Sequence, residues 1–258
     1  MVNIQLGDVA TWYDVHGDGE PVVLLHGGFV DSRMFAPAMP ALVGRFRVYT
    51  TDRRGHGHTP DVEGPLTYEV MAEDLIAFLE KVVGEPAHLV GHSDGANVAM
   101  LVALRRPDLV RKLVLISGNF HHIGVLPGVM DGFEDPDTQK YLAGRYGEVS
   151  PHGETHFPVV AAKMLDMGRT GPTLAPEDLR DIPHRTLVMS GDDDAVALEH
   201  TIALYRAIPD SELSIIPATS HLLVMEKPGQ VYAEIADFLG NDPAPTRQPI
   251  RRAEPAHR

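Results

Sequence analysis

The chain has 258 residues, 43% of them hydrophobic, and a formal net charge of −14 with histidine neutral. That charge argues against a nucleic-acid partner, which needs a basic footprint, and against binding to anionic membrane surfaces. The absence of Cys excludes disulfides, thiolate nucleophiles and Cys-ligated metals.

Met1 to Ala10 carries neither a basic n-region nor an apolar h-region, so no signal peptide is read there. Ala10 to Val15 mixes β-branched and aromatic residues, and His16 to Pro21 supplies a Gly/Pro/Asp turn: strand, turn, strand. Val22-Val23-Leu24-Leu25 is a short continuous apolar run, the pattern of a strand buried on both faces of a parallel sheet. It ends at His26-Gly27-Gly28. Phe46 to Thr50 repeats the strand pattern and ends at Asp52.

Tyr68 to Val83 is helical, with Val70, Met71, Leu75, Phe78, Leu79 and Val82 at helical spacing and Gly84 as the stop. Ala87 to Val90 is a strand, Gly95 to Arg105 a helix before Pro107, and Leu113 to Ile116 a strand. Thr186 to Met189 is a strand, His200 to Ile208 a helix, Leu213 to Ile216 a strand and Gln230 to Leu239 the last helix. This alternation predicts a mostly parallel, doubly wound α/β sheet with helices on both faces. Asn119 to about Pro183 interrupts it with Gly, Pro, Met and His; helical patches around Thr138 to Tyr146 and Val159 to Met167 predict a small helical cap over the sheet. The expected division is a core of 1–118 and 184–240, a cap of 119–183 and a Pro-rich, polar, mobile tail of 241–258. No apolar run approaches the roughly 18 residues of a membrane span, so a cytoplasmic protein is expected.

The central chemical signal is Gly91-His92-Ser93-Asp94-Gly95, after an apolar strand and opening a helix of small residues. A Ser on a tight strand-to-helix turn is strained, with its hydroxyl exposed above the sheet, and the helix N-terminus favours developing negative charge. A Ser hydroxyl needs a base. His221 follows the strand Leu213 to Ile216 and the loop Pro217 to Ser220, where a loop can return a His over the sheet. The base needs an orienting carboxylate, and Ser190-Gly191-Asp192-Asp193-Asp194 crowds three acids at a strand's C-terminal end. On chemistry alone any of the three would serve. The glycines of His26-Gly27-Gly28-Phe29 let backbone N–H groups approach a substrate carbonyl, and the N–H of Asp94 gives a second donor.

The order His-Gly-Gly, Asp52-x-Arg54-Gly55-x-Gly57-x-Thr59, Gly-His-Ser-x-Gly, Gly-x-x-Asp and a late His resembles the α/β-hydrolase superfamily over about residues 10 to 239. The resemblance implies the α/β-hydrolase sheet, with the helical cap inserted after the sixth strand. It implies Asp194 as the acid and Gly28, rather than Phe29, as the first oxyanion donor. Ala96 replaces a second Gly that often follows the elbow, a conservative departure. Ser93 stands where the dehalogenase and epoxide-hydrolase branches have Asp, and Phe29-Val30 stands where the prolyl-aminopeptidase branch has Pro-Gly, which count against those activities. The elbow is similar to that of biphenyl-hydrolase-like amino-acid ester hydrolases, which implies a preference of Asp94 for amine-bearing esters.

Phe29, His92, Asp94, Asn119, Met164 and Leu222 are the candidate substrate contacts; Phe157, Leu165 and Met167 join Met164 on the cap's inner face, where Met suits an apolar pocket. His121, His122, His152, His156 and His184 lack the zinc-helix spacing, so no metal is expected. The loop Arg53-Arg54-Gly55-His56-Gly57-His58 reads as a structural turn near the site. The expectation is a cofactor-free serine hydrolase of a small-molecule ester or lactone, monomeric or homodimeric. The same triad would equally serve a C–C bond, a thioester or perhydrolysis, and a ligand sensor with little turnover is the rival of another class.

Overall fold

The short apolar runs pair edge to edge because only a sheet shared among them satisfies their backbone polar groups in an apolar interior. The computed structural model of the chain describes residues 2–243 and 246–248; most of the predicted tail lies outside them. Eight strands form one sheet: β1 Val2–Leu6, β2 Val9–His16, β3 Glu20–Leu25, β4 Phe46–Thr51, β5 Ala87–His92, β6 Val110–Ile116, β7 Thr186–Asp193 and β8 Ser211–Ser220. Their order is β1-β2-β4-β3-β5-β6-β7-β8. β2 is antiparallel to both β1 and β4, and the remaining pairs are parallel. This is the doubly wound α/β-hydrolase sheet.

Nine α-helices accompany it: α1 Met39–Leu42, α2 Tyr68–Phe78, α3 Asp94–Arg105, α4 Val129–Gly132, α5 Pro136–Gly147, α6 Phe157–Thr170, α7 Leu198–Ala207, α8 Leu223–Glu226 and α9 Pro228–Gly240, all among the described residues. Side-chain alternation splits each central strand between two cores. Val23, Leu25 and Leu89 face the side of α2 and α3, with Met71, Leu75 and Val98. Val22, Leu24, Val90 and Met189 face the side of α1 and α9, with Leu42, Val231 and Ile235. α4, α5 and α6 lie between β6 and β7, as the helical insertion after the sixth strand. Among the described residues no helix is long and apolar enough to cross a membrane.

Three differences from the sequence reading have local causes. β1 precedes the first expected strand because Gly7, at φ +57, closes a tight turn at Gly7-Asp8 that pairs Leu6 with Val9. The expected helix Tyr68 to Val83 changes after Phe78 to a wider π-helical turn, Leu79–Val83, which ends at left-handed Gly84. β8 runs past Ile216 to Ser220 by bending: Ala218 has φ +52, and the β7–β8 register shifts between Gly191 and Asp193. α1, α4 and α8 are too short to leave a periodic signal.

The turn from β5 to α3 leaves no spare volume. A Cβ on Gly91 would meet the Gly95 carbonyl at 2.4 Å, and one on Gly95 would lie 2.0 Å from the Leu25 backbone oxygen. Both obstacles are backbone, so neither can swing aside. Gly95→Ala is therefore expected to cost roughly 3 kcal/mol or more, read as a fall in the urea midpoint with an unchanged slope; a variant within about 0.5 kcal/mol of the parent would contradict this packing.

Four histidines on or beside the sheet are at most 2% exposed: His26, His56, His88 and His92. Burial is the first cause of a lowered affinity for protons in all four, and His56 falls to about 4 and His92 to about 3. The unfolded chain therefore takes up protons below about pH 6.5 that the folded chain refuses. Stability is fully present above that pH and is lost as pH falls towards 4. The slope approaches about 1.4 kcal/mol per pH unit for each histidine. Urea titrations between pH 7 and 4 measure it, and a flat profile above pH 5 would refute it.

Candidate active site

Ser93 joins β5 to α3 with φ +54 and ψ −120, a conformation costing about 1–3 kcal/mol for a residue with a side chain. A Ser before a helix ordinarily caps it; here its side chain makes no capping bond, so the hydroxyl is not spent on the backbone. The strain is held in place by the Gly91–Gly95 contact and by the bond from Ser93 N–H to the Ile116 carbonyl, 2.8 Å.

His221 lies just past the bent end of β8. Its Nδ1 meets Asp194 Oδ1 at 2.7 Å, which assigns the Nδ1–H tautomer and leaves Nε2 with its lone pair. Of the three crowded acids, Asp192 and Asp193 are exposed, and Asp192 Oδ1 accepts the Thr219 N–H, 3.1 Å. Asp194 is buried, and its carboxylate is fully engaged. Oδ1 also accepts the Val196 N–H at 3.1 Å, while Oδ2 accepts Ser117 Oγ at 2.5 Å, Ser190 Oγ at 3.0 Å and Gly191 N–H at 3.2 Å. These donors hold Asp194 far below the ordinary carboxylate range although burial alone pushes the other way. An ionised, immobile carboxylate of this kind keeps an imidazole in one tautomer and stabilises its protonated form.

His92 packs against His221. Its Nε2–H donates to the His221 backbone carbonyl at 2.7 Å, and the two rings lie 5.0 Å apart. Because His92 stays neutral, it is a fixed donor to the loop that carries His221. No hydrogen bond joins Ser93 Oγ to His221 among the described residues. Such contacts tighten with a substrate in place.

The floor opposite Ser93 is built by His26-Gly27-Gly28-Phe29. A Cβ on Gly27 would come within 3.3 Å of Ser93 Cβ, and one on Gly28 would meet Asp94 Oδ2 at 2.5 Å. Phe29 has φ +59, its N–H points at Met164 Sδ, 3.3 Å away, and its ring stacks on Phe133 at 4.4 Å. The N–H groups of Gly28 and Asp94 make no hydrogen bond among the described residues. Asp94 Oδ1 accepts the Tyr68 hydroxyl at 2.6 Å.

The remaining predicted contacts scatter. Met164 is buried in the inserted segment over the floor, and Leu222 is 44% exposed beside His221. Asn119 is buried: its N–H donates to Asn97 Oδ1 at 2.9 Å and its Oδ1 accepts from Asn97 Nδ2 at 3.0 Å, a brace between β6 and α3. Asp52 organises the turn after β4, accepting the Ser32 N–H, the His58 N–H and His58 Nδ1 within 2.8 Å. His152 and His156 both bond to Asp61, and His184 Nε2 donates to the Pro107 carbonyl.

Sequence reasoning missed Ser117, Ser190 and Tyr68. Ser117 and Ser190 stand at the carboxyl ends of β6 and β7, a position that could have marked them as partners of a nearby acid. Nothing local marks Tyr68, which opens α2 and reaches Asp94 only through the packing of α2 on α3.

The model of a family described as the alpha/beta hydrolase family matches residues 22–235. The chain is similar to a putative carbamate hydrolase, RutD, of Caulobacter segnis, 39% identical over 254 residues that cover 88% of this chain and 95% of the relative. It is also similar to the sn-1-specific diacylglycerol lipase ABHD11 of Mus musculus, 29% identical over 84% of this chain and 80% of that one. Among solved structures, a thermophilic esterase of Thermogutta terrifontis superposes with a TM-score of 0.71 at 26% identity, covering 93% and 97% of the two chains. The relatives are hydrolases, and the match spans strand, elbow, inserted helices and terminal histidine alike: this chain belongs to the alpha/beta hydrolase family.

Proposed function

We propose that the protein is a serine hydrolase that cleaves a small-molecule carboxylic ester or lactone through an acyl-enzyme. The observation that carries this is the uncommitted Ser93 hydroxyl on a strained turn, beside a His221 whose Nδ1 is tied to buried Asp194. In this reading His221 Nε2 takes the Ser93 proton as Oγ attacks the carbonyl carbon. The N–H groups of Gly28 and Asp94 hold the oxyanion; Phe29 is not the donor, because its own N–H is aimed at Met164. His221 then protonates the leaving alcohol, and activates the water that frees the acid. Residues 1–118 and 184–240 form the catalytic core, and 119–183 the lid. The steps use no cofactor.

Hydrolysis of p-nitrophenyl esters across acyl lengths, for the parent and Ser93→Ala in parallel, tests the reading. The variant is expected to lose roughly three or more decades of kcat. A parent that neither turns over esters nor is labelled at Ser93 by a fluorophosphonate would sink it. A labelled but inactive parent would redirect the search to thioesters, C–C bonds and aryl carbamates, the last suggested by the similarity to a putative carbamate hydrolase.

A second reading concerns Asp94. Its Oδ1 is occupied by Tyr68, while Oδ2 faces Gly28, beside the carbonyl to be attacked. A substrate ammonium on the carbon next to that carbonyl would meet this oxygen. A valine ester is then expected to be cleaved at least about tenfold faster than its des-amino analogue, the worth of one charge-assisted bond. Equal rates would remove the idea.

A further inference from the structure

Arg53 is out of keeping with its surroundings. It is 7% exposed, and among the described residues no carboxylate lies within 4 Å of it; Asp94 and Asp52 act on it only from farther away. Its neighbour Arg54, by contrast, is bound by Asp74 and Asp8. A buried cation without a counter-ion costs several kcal/mol, so its contacts matter. Nη1 reaches Met71 Sδ at 3.5 Å, Nε has no partner, and Nη2 donates to the Gly27 carbonyl at 2.8 Å.

That carbonyl is doubly held. His26 Nε2 accepts the Arg53 backbone N–H at 3.0 Å, so the ring proton sits on Nδ1, which donates to the same Gly27 oxygen at 2.7 Å. Burial and the adjacent guanidinium keep His26 neutral, which preserves the tautomer. The peptide from Gly27 to Gly28 is trans, since the one cis bond among the described residues is Gly171–Pro172. In a planar trans peptide the C=O and N–H point in opposite directions. With its oxygen drawn to Arg53 and His26, the peptide turns the Gly28 N–H away from them, and the two glycines border the elbow: a Cβ on Gly27 would lie 3.3 Å from Ser93 Cβ, and one on Gly28 2.5 Å from Asp94 Oδ2.

We propose that Arg53, assisted by His26, is a positioning residue for the oxyanion donor: it fixes the Gly27–Gly28 peptide plane and polarises it, strengthening the Gly28 N–H. The inference rests on the serine-hydrolase reading above. A cationic donor on a carbonyl oxygen draws density from the amide nitrogen, so the N–H at the far end becomes a stronger donor. The buried charge also acts on the Asp94 carboxylate, whose Oδ2 lies against Gly28.

The test uses Arg53→Met and Arg53→Gln with three readouts: kcat and KM on an activated ester, the rate of Ser93 phosphonylation by a fluorophosphonate, and the Gly28 amide proton shift in 15N-glycine-labelled protein. Arg53→Met is expected to lower kcat and the phosphonylation rate by about ten- to hundredfold with KM within about twofold, short of losing a whole oxyanion donor. Its Gly28 amide proton moves upfield. Arg53→Gln retains a neutral donor and loses less. A folded methionine variant with parental kcat and an unmoved Gly28 signal overturns the proposal. So does a fall of kcat with a raised KM and an unmoved signal, since that is the mark of general disorder. If the methionine variant does not fold, the glutamine variant decides: parental kcat overturns, reduced kcat with a shifted signal supports. A parent that is inert to both ester and fluorophosphonate refutes the Ser93 chemistry instead, and the Gly28 shift then decides alone whether Arg53 polarises the peptide.

Discussion

The contact between α3 and β3 governs the site. Gly95 sits directly against the Leu25 backbone oxygen, and Gly91 against the Gly95 carbonyl, so the chain between them has one path and Ser93 has one conformation. The strain at Ser93 is tolerated because two buried apolar layers and a run of parallel pairing fix both flanking elements. The same contact brings the end of β3, with its His26-Gly27-Gly28 continuation, alongside the start of α3. Floor and elbow are thus neighbours for reasons of backbone packing, before any side chain with chemistry is considered.

Two acids near the site are handled in opposite ways. Asp194 spends both oxygens on five donors and is rigid as well as ionised. Asp94 has one oxygen held by Tyr68 and the other against Gly28. In the proposed mechanism, negative charge beside the oxyanion works against catalysis unless something balances it. Within the protein, the nearby buried guanidinium of Arg53 provides that balance; a cationic substrate would provide it from outside.

The sheet was legible because each central strand is an apolar run closed by Gly, Asp or His at its carboxyl end, and because Pro and Gly punctuate the helices between. The elbow was legible for the same reason: Gly91 and Gly95 are required by sterics that five residues reveal. The acid was less so. Three consecutive aspartates are equivalent on paper, and what separates Asp194 is the bend at Ala218, which no local pattern announces. Tyr68 and Arg53 were read as a helix opener and part of a basic turn, because their roles depend on contacts 26 residues apart in sequence in each case, Tyr68 with Asp94 and Arg53 with Gly27. Asn119, a polar residue shortly after a strand, was read only as a substrate contact; its bonds to Asn97 on α3 depend on the packing of that helix, which the local sequence does not show.

Phe29 joins the roof to the floor. Its N–H is aimed at Met164 of α6, its ring lies flat on Phe133 just after α4, and its peptide follows immediately on Gly28. A displacement of the inserted helices therefore pulls on the residue next to the one that faces Ser93. The inserted segment and the Gly27–Gly28 turn are in this way joined through a single residue, so a change in the packing of one is felt directly by the backbone of the other.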